Sequence, residues 1–105
     1  MKEVDLVIRG ARVVSADQII QVSVAIAGEK IVAVGHDDLM PAAREEMRAD
    51  GLFLLPGAID SHVHLDSDAG GNAALIEAVT DSPAHAAYRA AGNAKKTLMA
   101  GFTTV

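Results

Sequence analysis

The sequence has 105 residues, half of them hydrophobic, and a formal net charge of −5. That hydrophobic share is enough for a buried core and excludes an intrinsically disordered chain. Nine basic residues, forming no stripe, argue against nucleic acid and anionic membrane surfaces as partners.

The opening Met1-Lys2-Glu3-Val4-Asp5 lacks the basic-then-apolar pattern of a signal peptide. No apolar run approaches the roughly 18 residues of a membrane span, so a cytoplasmic location is the default expectation. Val4 to Ser15 reads as a first strand, with Leu6 and Ile8 on one face and Asp5, Val7 and Arg9 on the other. Gly10 marks a bulge or a turn within it. Gln21 to Ile26 alternates as a second strand. Ala27-Gly28-Glu29-Lys30 closes a hairpin, and Ile31 to Val34 is the returning strand. His36-Asp37-Asp38 ends it in a solvated turn. Leu39 to Met47 is ambiguous, because Pro41 followed by Ala-Ala-Arg-Glu-Glu-Met fits an opening helical turn. Asp50-Gly51 is a turn, and Leu52 to Leu55 an unbroken apolar strand. Residues 1–56 therefore read as a β-meander with one buried face.

Pro56-Gly57-Ala58-Ile59-Asp60-Ser61-His62-Val63-His64-Leu65-Asp66 organises the rest of the chain. It reads as a short buried strand ending in two histidines. Side chains alternate along a strand, so Asp60, His62 and His64 share one face and Ile59, Ser61 and Val63 the other. With no Cys in the chain, a metal falls to His, carboxylates or a modified Lys. Two imidazoles about 7 Å apart along a strand can close on one ion where the strand twists or ends. A bare His-x-His is as readily two surface side chains. Its position at the carboxyl end of an apolar strand, before a loop and a helix, favours the metal reading, because α/β barrels keep their chemistry there. Asp60, one pleat below, either orients an imidazole as an acceptor or fills the barrel interior through hydrogen bonds. Asp66 and Asp68 lie in the loop that follows and read as solvated.

Ala73 to Thr80 fits a short helix. Ser82-Pro83 opens a second one, with Ala87, Ala91, Ala94 and Leu98 recurring as an apolar stripe. His85 falls in its exposed first turn. Lys95 and Lys96 suit the helix dipole as a solvated end, and Gly101 stops the helix. Phe102-Thr103-Thr104-Val105 begins another strand. Strand, helix, strand in that order implies parallel pairing.

DLVIRGARVV, VAIAGEKIVAVG and GLFLLPGAIDSHVHLD, in this order and spacing, resemble the start of amidohydrolase-superfamily enzymes. SPAHAAYRAAGNAKKTLMAGFTTV resembles the branch of Xaa-Pro dipeptidase-like and imidazolonepropionase-related members. The resemblance implies an α/β fold with a β-rich beginning. Residues 1–56 would be part of a small β-sandwich made from both chain ends. Residues 57–105 would be the first βα unit of a (β/α)₈ barrel, running to the start of strand two. It also implies that His62 and His64 bind a divalent metal, usually zinc, as one or two ions in the complete site. The remaining family ligands, a carboxylated Lys, two further His and a catalytic Asp, have no counterpart here, so no catalytic residue is assigned and substrate-binding residues are unknown. The expected activity is that of the N-terminal portion of a dipeptidase-like C–N hydrolase, inactive without the remainder of the barrel. The alternatives are a deaminase or cyclic-amide hydrolase, and a non-catalytic β-rich fragment. A small molecule or dipeptide is the expected partner, and a homo-oligomer stays open.

Overall fold

The computed structural model describes residues 3–105. It falls into two compact units, Met1–Pro56 and Gly57–Val105.

The first unit is a sheet of β1 (Val4–Val14), β2 (Ile19–Ala27), β3 (Lys30–Gly35), β4 (Ala43–Arg48) and β5 (Phe53–Leu54). Its order is β3-β2-β1-β4, with β5 also pairing with β1. The first three strands form the antiparallel meander that the alternation predicts. Gly28, with φ of +58°, makes the tight turn between β2 and β3, and its N–H donates to Asp5 Oδ2 at 2.6 Å. The register of β1 against β2 slips between Ile8 and Ala11. Gly10 sits in that slip with φ of +70°, so it marks a bulge.

The segment that reads as an opening helical turn is instead strand β4, parallel to β1 with Val4 opposite Ala43 and Arg9 opposite Arg48. The residues Ala43-Arg44-Glu45-Glu46-Met47-Arg48 favour helix by local preference. Pairing with a strand 39 residues back in register overrides it, as tertiary context commonly does. The charges then suit an edge strand, where they discourage pairing with another chain. A 3₁₀ turn, Asp37–Leu39, and an extended Met40 make the connection.

Val7 and Ala25 are fully buried and, with Val4, form the core against Ala33, Met40 and Ala43. The opposite face is apolar too: Ile8, Val24, Ile26, Ile31 and Leu54 line a recess of about 260 Å³. One polar cluster ties this unit together. Ser23, fully buried, accepts from Gly10 N at 3.0 Å and donates to Asp37 Oδ1 at 2.6 Å. Arg9 bridges Asp37 Oδ1 at 3.0 Å and Glu46 Oε1 at 2.5 Å, joining β1, the 3₁₀ turn and β4. The Ser23 hydroxyl, and then Arg9, hold the Asp37 carboxyl below its ordinary range. Arg9 does the same for Glu46, and these two carboxylates raise the guanidinium in turn. A buried hydroxyl with both a donor and an acceptor partner carries no desolvation penalty that its bonds do not offset.

The second unit comprises β6 (Ala58–Ile59), α1 (Asn72–Thr80), α2 (Pro83–Met99) and β7 (Phe102–Thr104). β6 and β7 pair in parallel, as their order in the chain implies. Ser82 caps α2 by accepting from His85 N at 3.2 Å, with Pro83 in the first turn. Gly101 follows with φ of +99°. The strand before the histidines is not buried: Ala58 and Ile59 are both exposed. It is also shorter than the alternation suggests. Its ladder with β7 ends at Asp60 N donating to Thr104 O, so His62 and His64 fall just beyond the last pair. The inner face of α2 is rotated from the predicted stripe. Ala87, Ala91, Ala94 and Leu98 are exposed, while Ala86, Arg89, Ala90, Asn93 and Thr97 are half-buried. That inner side meets a polar loop, to which Arg89 and Asn93 donate hydrogen bonds between the half-buried alanines. No helix among the described residues is long and apolar enough to cross a membrane.

Candidate functional site

Period-two alternation persists past the end of β6. Val63, Leu65, Ser67 and Ala69 are half-buried, while His62, His64, Asp66 and Asp68 are exposed. The two imidazoles share one side, although the backbone bends at Ser61–His62 and again at Leu65–Asp66. Their ring centroids are 5.0 Å apart and their Nε2 atoms 3.1 Å apart. Two lone pairs at that distance repel, so a proton or a cation belongs between them.

A divalent ion fits this pair. At 3.1 Å the two nitrogens are close enough for both to hold one such ion. Imidazole nitrogen is also a donor that zinc and its neighbours accept. Among the described residues, no group of three or more His, Asp or Glu side chains gathers around a common point. Asp60 does not reach an imidazole: its Oδ1 accepts from His62 main-chain N at 3.1 Å, which fixes the backbone entering the pair.

The loop after His64 is held by the two helices. Asn93 Nδ2 donates to Leu65 O at 2.9 Å and Arg89 Nη1 to Asp66 O at 3.0 Å. Ser67 Oγ donates to Glu77 Oε2 at 2.7 Å and accepts from Ala69 N. Arg89 also pairs with Asp81 Oδ2 at 2.5 Å and lies 3.5 Å from Glu77 Oε2 and 3.8 Å from Asp68 Oδ2. The Asp81 contact, foremost, raises the guanidinium above its ordinary range. These groups border a cavity of about 250 Å³ lined by Asp66, Ser67, Glu77, Asp81 and Arg89.

Asp68 thus faces Arg89 and Lys96 rather than the imidazoles. Lys96 is exposed, yet it donates to Asn93 Oδ1 at 3.1 Å. His85 is exposed, 3.8 Å from Asp81, and His36 is exposed beside the 3₁₀ turn. Sequence reasoning missed Arg89, Asn93, Ser67 and Glu77. The signal available was a polar pair four residues apart, Arg89 and Asn93, flanked by alanines on a helix.

The pattern of the amidohydrolase family matches residues 53–105, half of the chain. The adenine deaminase of Deinococcus radiodurans is 42% identical over 66 residues, 60% of this chain and 12% of that protein. The allantoinase of Rubrobacter xylanophilus is 47% identical over 66 residues, 63% of this chain and 14% of that protein. Among solved structures, the D-hydantoinase of Bacillus sp. AR9 superimposes with a TM-score of 0.54 at 45% identity, covering 64% of this chain and 14% of that one. The L-hydantoinase of Arthrobacter aurescens gives 0.56 at 30% identity, covering 61% and 14%. The chain therefore spans about one-seventh of the length of the relatives it matches. None of these four is named as a dipeptidase, the activity that residues 82–105 suggest. With its histidine segment inside a family match covering half its residues, this chain belongs to the amidohydrolase family.

Proposed function

We propose that this chain is the N-terminal portion of a metal-dependent amidohydrolase that opens cyclic amides, with His62 and His64 as two ligands of a divalent ion, zinc foremost. The observation that carries the reading is the 3.1 Å convergence of the two Nε2 atoms just beyond β6, in a chain similar to hydantoinases and allantoinases. In this reading Met1–Pro56 contributes to a β-sandwich, and β6, α2 and β7 begin a parallel barrel whose further strands supply the other ligands. A bound divalent metal supplies a water acidified toward neutral pH and polarisation of the scissile carbonyl. This chain's part is to present the two imidazole nitrogens, with Asp60 fixing the backbone before them and the loop 65–69 fixing it after. A small cyclic molecule as substrate and a cytoplasmic setting go with the reading.

Similarity to an adenine deaminase supports a second reading, deamination of a purine-like ring at the same pair. A dipeptidase has less support, resting on residues 82–105 of the sequence alone. The test takes the full-length protein, loaded with zinc, and offers it hydantoin, allantoin, adenine and a Xaa-Pro dipeptide in parallel. Ring opening of hydantoin or allantoin, abolished by a chelator and by H62A or H64A with the melting temperature kept, is the expected result. Ammonia release from adenine alone favours the deaminase. Turnover of the dipeptide alone, or activity unchanged in both histidine variants, overturns the proposal.

A further inference from the structure

We infer that Asn93 and Arg89 of α2 are positioning residues for His64, and through it for the histidine pair. The inference rests on the reading of that pair as metal ligands. Residues four apart on a helix share a face, and these two place donors on successive carbonyls: Asn93 Nδ2 on Leu65 O and Arg89 Nη1 on Asp66 O. Leu65 and Asp66 are the two residues immediately after His64. β6 ends its ladder with β7 at Asp60, so no sheet partner among the described residues holds the main chain at the histidines. The segment is fastened before the pair by β6 and the Asp60 contact to His62 N, and after it by these two helix side chains.

The orientation of the Asn93 amide follows from chemistry. Lys96 Nζ, which can only donate, sits 3.1 Å from the opposite end of that amide. The oxygen must therefore face Lys96, and the nitrogen Leu65 O. The Arg89 side chain is 13% exposed, and the same Nη1 that donates to Asp66 O also lies 2.5 Å from Asp81 Oδ2 and 3.5 Å from Glu77 Oε2. Two imidazoles on a tethered segment meet an ion with less ordering to do than two on a free loop, which is the ordinary benefit of preorganisation. Loss of an outer contact that orients a ligand typically lowers metal affinity by about 10- to 100-fold.

The test uses the intact chain and Ni²⁺ alone as probe, read by calorimetric titration, with the melting temperature measured on every variant. N93A should weaken Ni²⁺ binding about tenfold. N93D keeps the side chain's shape and its Lys96 contact but has no donor, and should behave alike. N93Q, which retains the donor, should recover part of the affinity. S82A is the control: it removes the α2 cap without touching the loop, and should lower the melting temperature while leaving affinity unchanged. If N93A and N93D bind Ni²⁺ as the natural chain does while H62A and H64A do not, the positioning role is refuted and the ligand pair stands. If S82A weakens binding as much as N93A, the effect is general loosening and the positioning role is again refuted. If H62A and H64A bind undiminished, the pair is no metal site and the inference falls with it.

Discussion

The two units solve the problem of fixing a chain by different means. Met1–Pro56 contains every fully buried side chain among the described residues, Val7 and Ser23 being the largest. Gly57–Val105 buries no residue fully. Leu75, Ile76 and Val79 on α1 and Leu98 and Met99 on α2 are all exposed, and the order of its loop comes from hydrogen bonds and ion pairs centred on Arg89 and Asn93. A core gives the first unit stability that no single contact carries. In the second, the order of the loop comes from a few directional contacts within the described residues, and that unit bears the candidate metal ligands.

The sharpest way to break this contrast is a charge in the first unit's core. Val7 is fully buried, and V7D places a carboxylate there with no partner. A buried unpaired charge belongs to the short list of changes costing about 4–5 kcal/mol or more, comparable with the whole stability of a small domain. Loss of protected amides along β1 and β2 in hydrogen exchange is the expected outcome. A variant that keeps those amides protected would show that the core does not hold this unit.

A smaller effect is expected from G57A in the second unit. A methyl group at Gly57 would run into Thr103, whose Cβ would lie 2.6 Å away. That atom cannot rotate aside, so the β6–β7 backbones must separate, at a cost of about 1–3 kcal/mol. The bonds from Ala58 N to Gly101 O and from Asp60 N to Thr104 O should then exchange faster. If G57A leaves their exchange unchanged, β6 is fastened by something other than its two-strand ladder.

The same contrast explains what could be read from the sequence. The β1–β2–β3 meander was legible because alternation and the Gly28 turn are local signals. α1 and α2 were legible because Ser82, Pro83 and Gly101 punctuate them. β4 was not, since its strand state comes from β1, distant in sequence, and from Arg9 meeting Glu46. The histidine pair was visible as a motif, but the end of its strand was not, because that depends on how far β7 reaches. The polar inner face of α2 was hidden by the neighbouring alanines, which carry the stronger periodic signal and point outward.

The smallest expected effect separates the units by pH. Asp37 and Glu46 both titrate below their ordinary range, held by Ser23 and Arg9 for Asp37 and by Arg9 for Glu46. A carboxyl whose folded pKa is depressed favours the folded state fully above its unfolded pKa. That contribution is lost as pH falls through the folded pKa. Stability of the first unit should therefore be level above about pH 5 and decline below the ordinary carboxylate range near 4. Both carboxylates are half exposed, so solvent screens the pairs and the decline should be smaller than the effect of either substitution above. R9Q removes the shared cation, and its stability should fall less steeply with acid, while Asp37 keeps the Ser23 hydroxyl. Adding S23A to R9Q should flatten the acid limb further, because each removes a separate cause of the Asp37 shift. Thermal melts of the natural chain, R9Q and R9Q/S23A between pH 7 and 3 give the three slopes. Parallel slopes would mean that the acid response of this unit arises outside the Arg9–Asp37–Glu46 cluster.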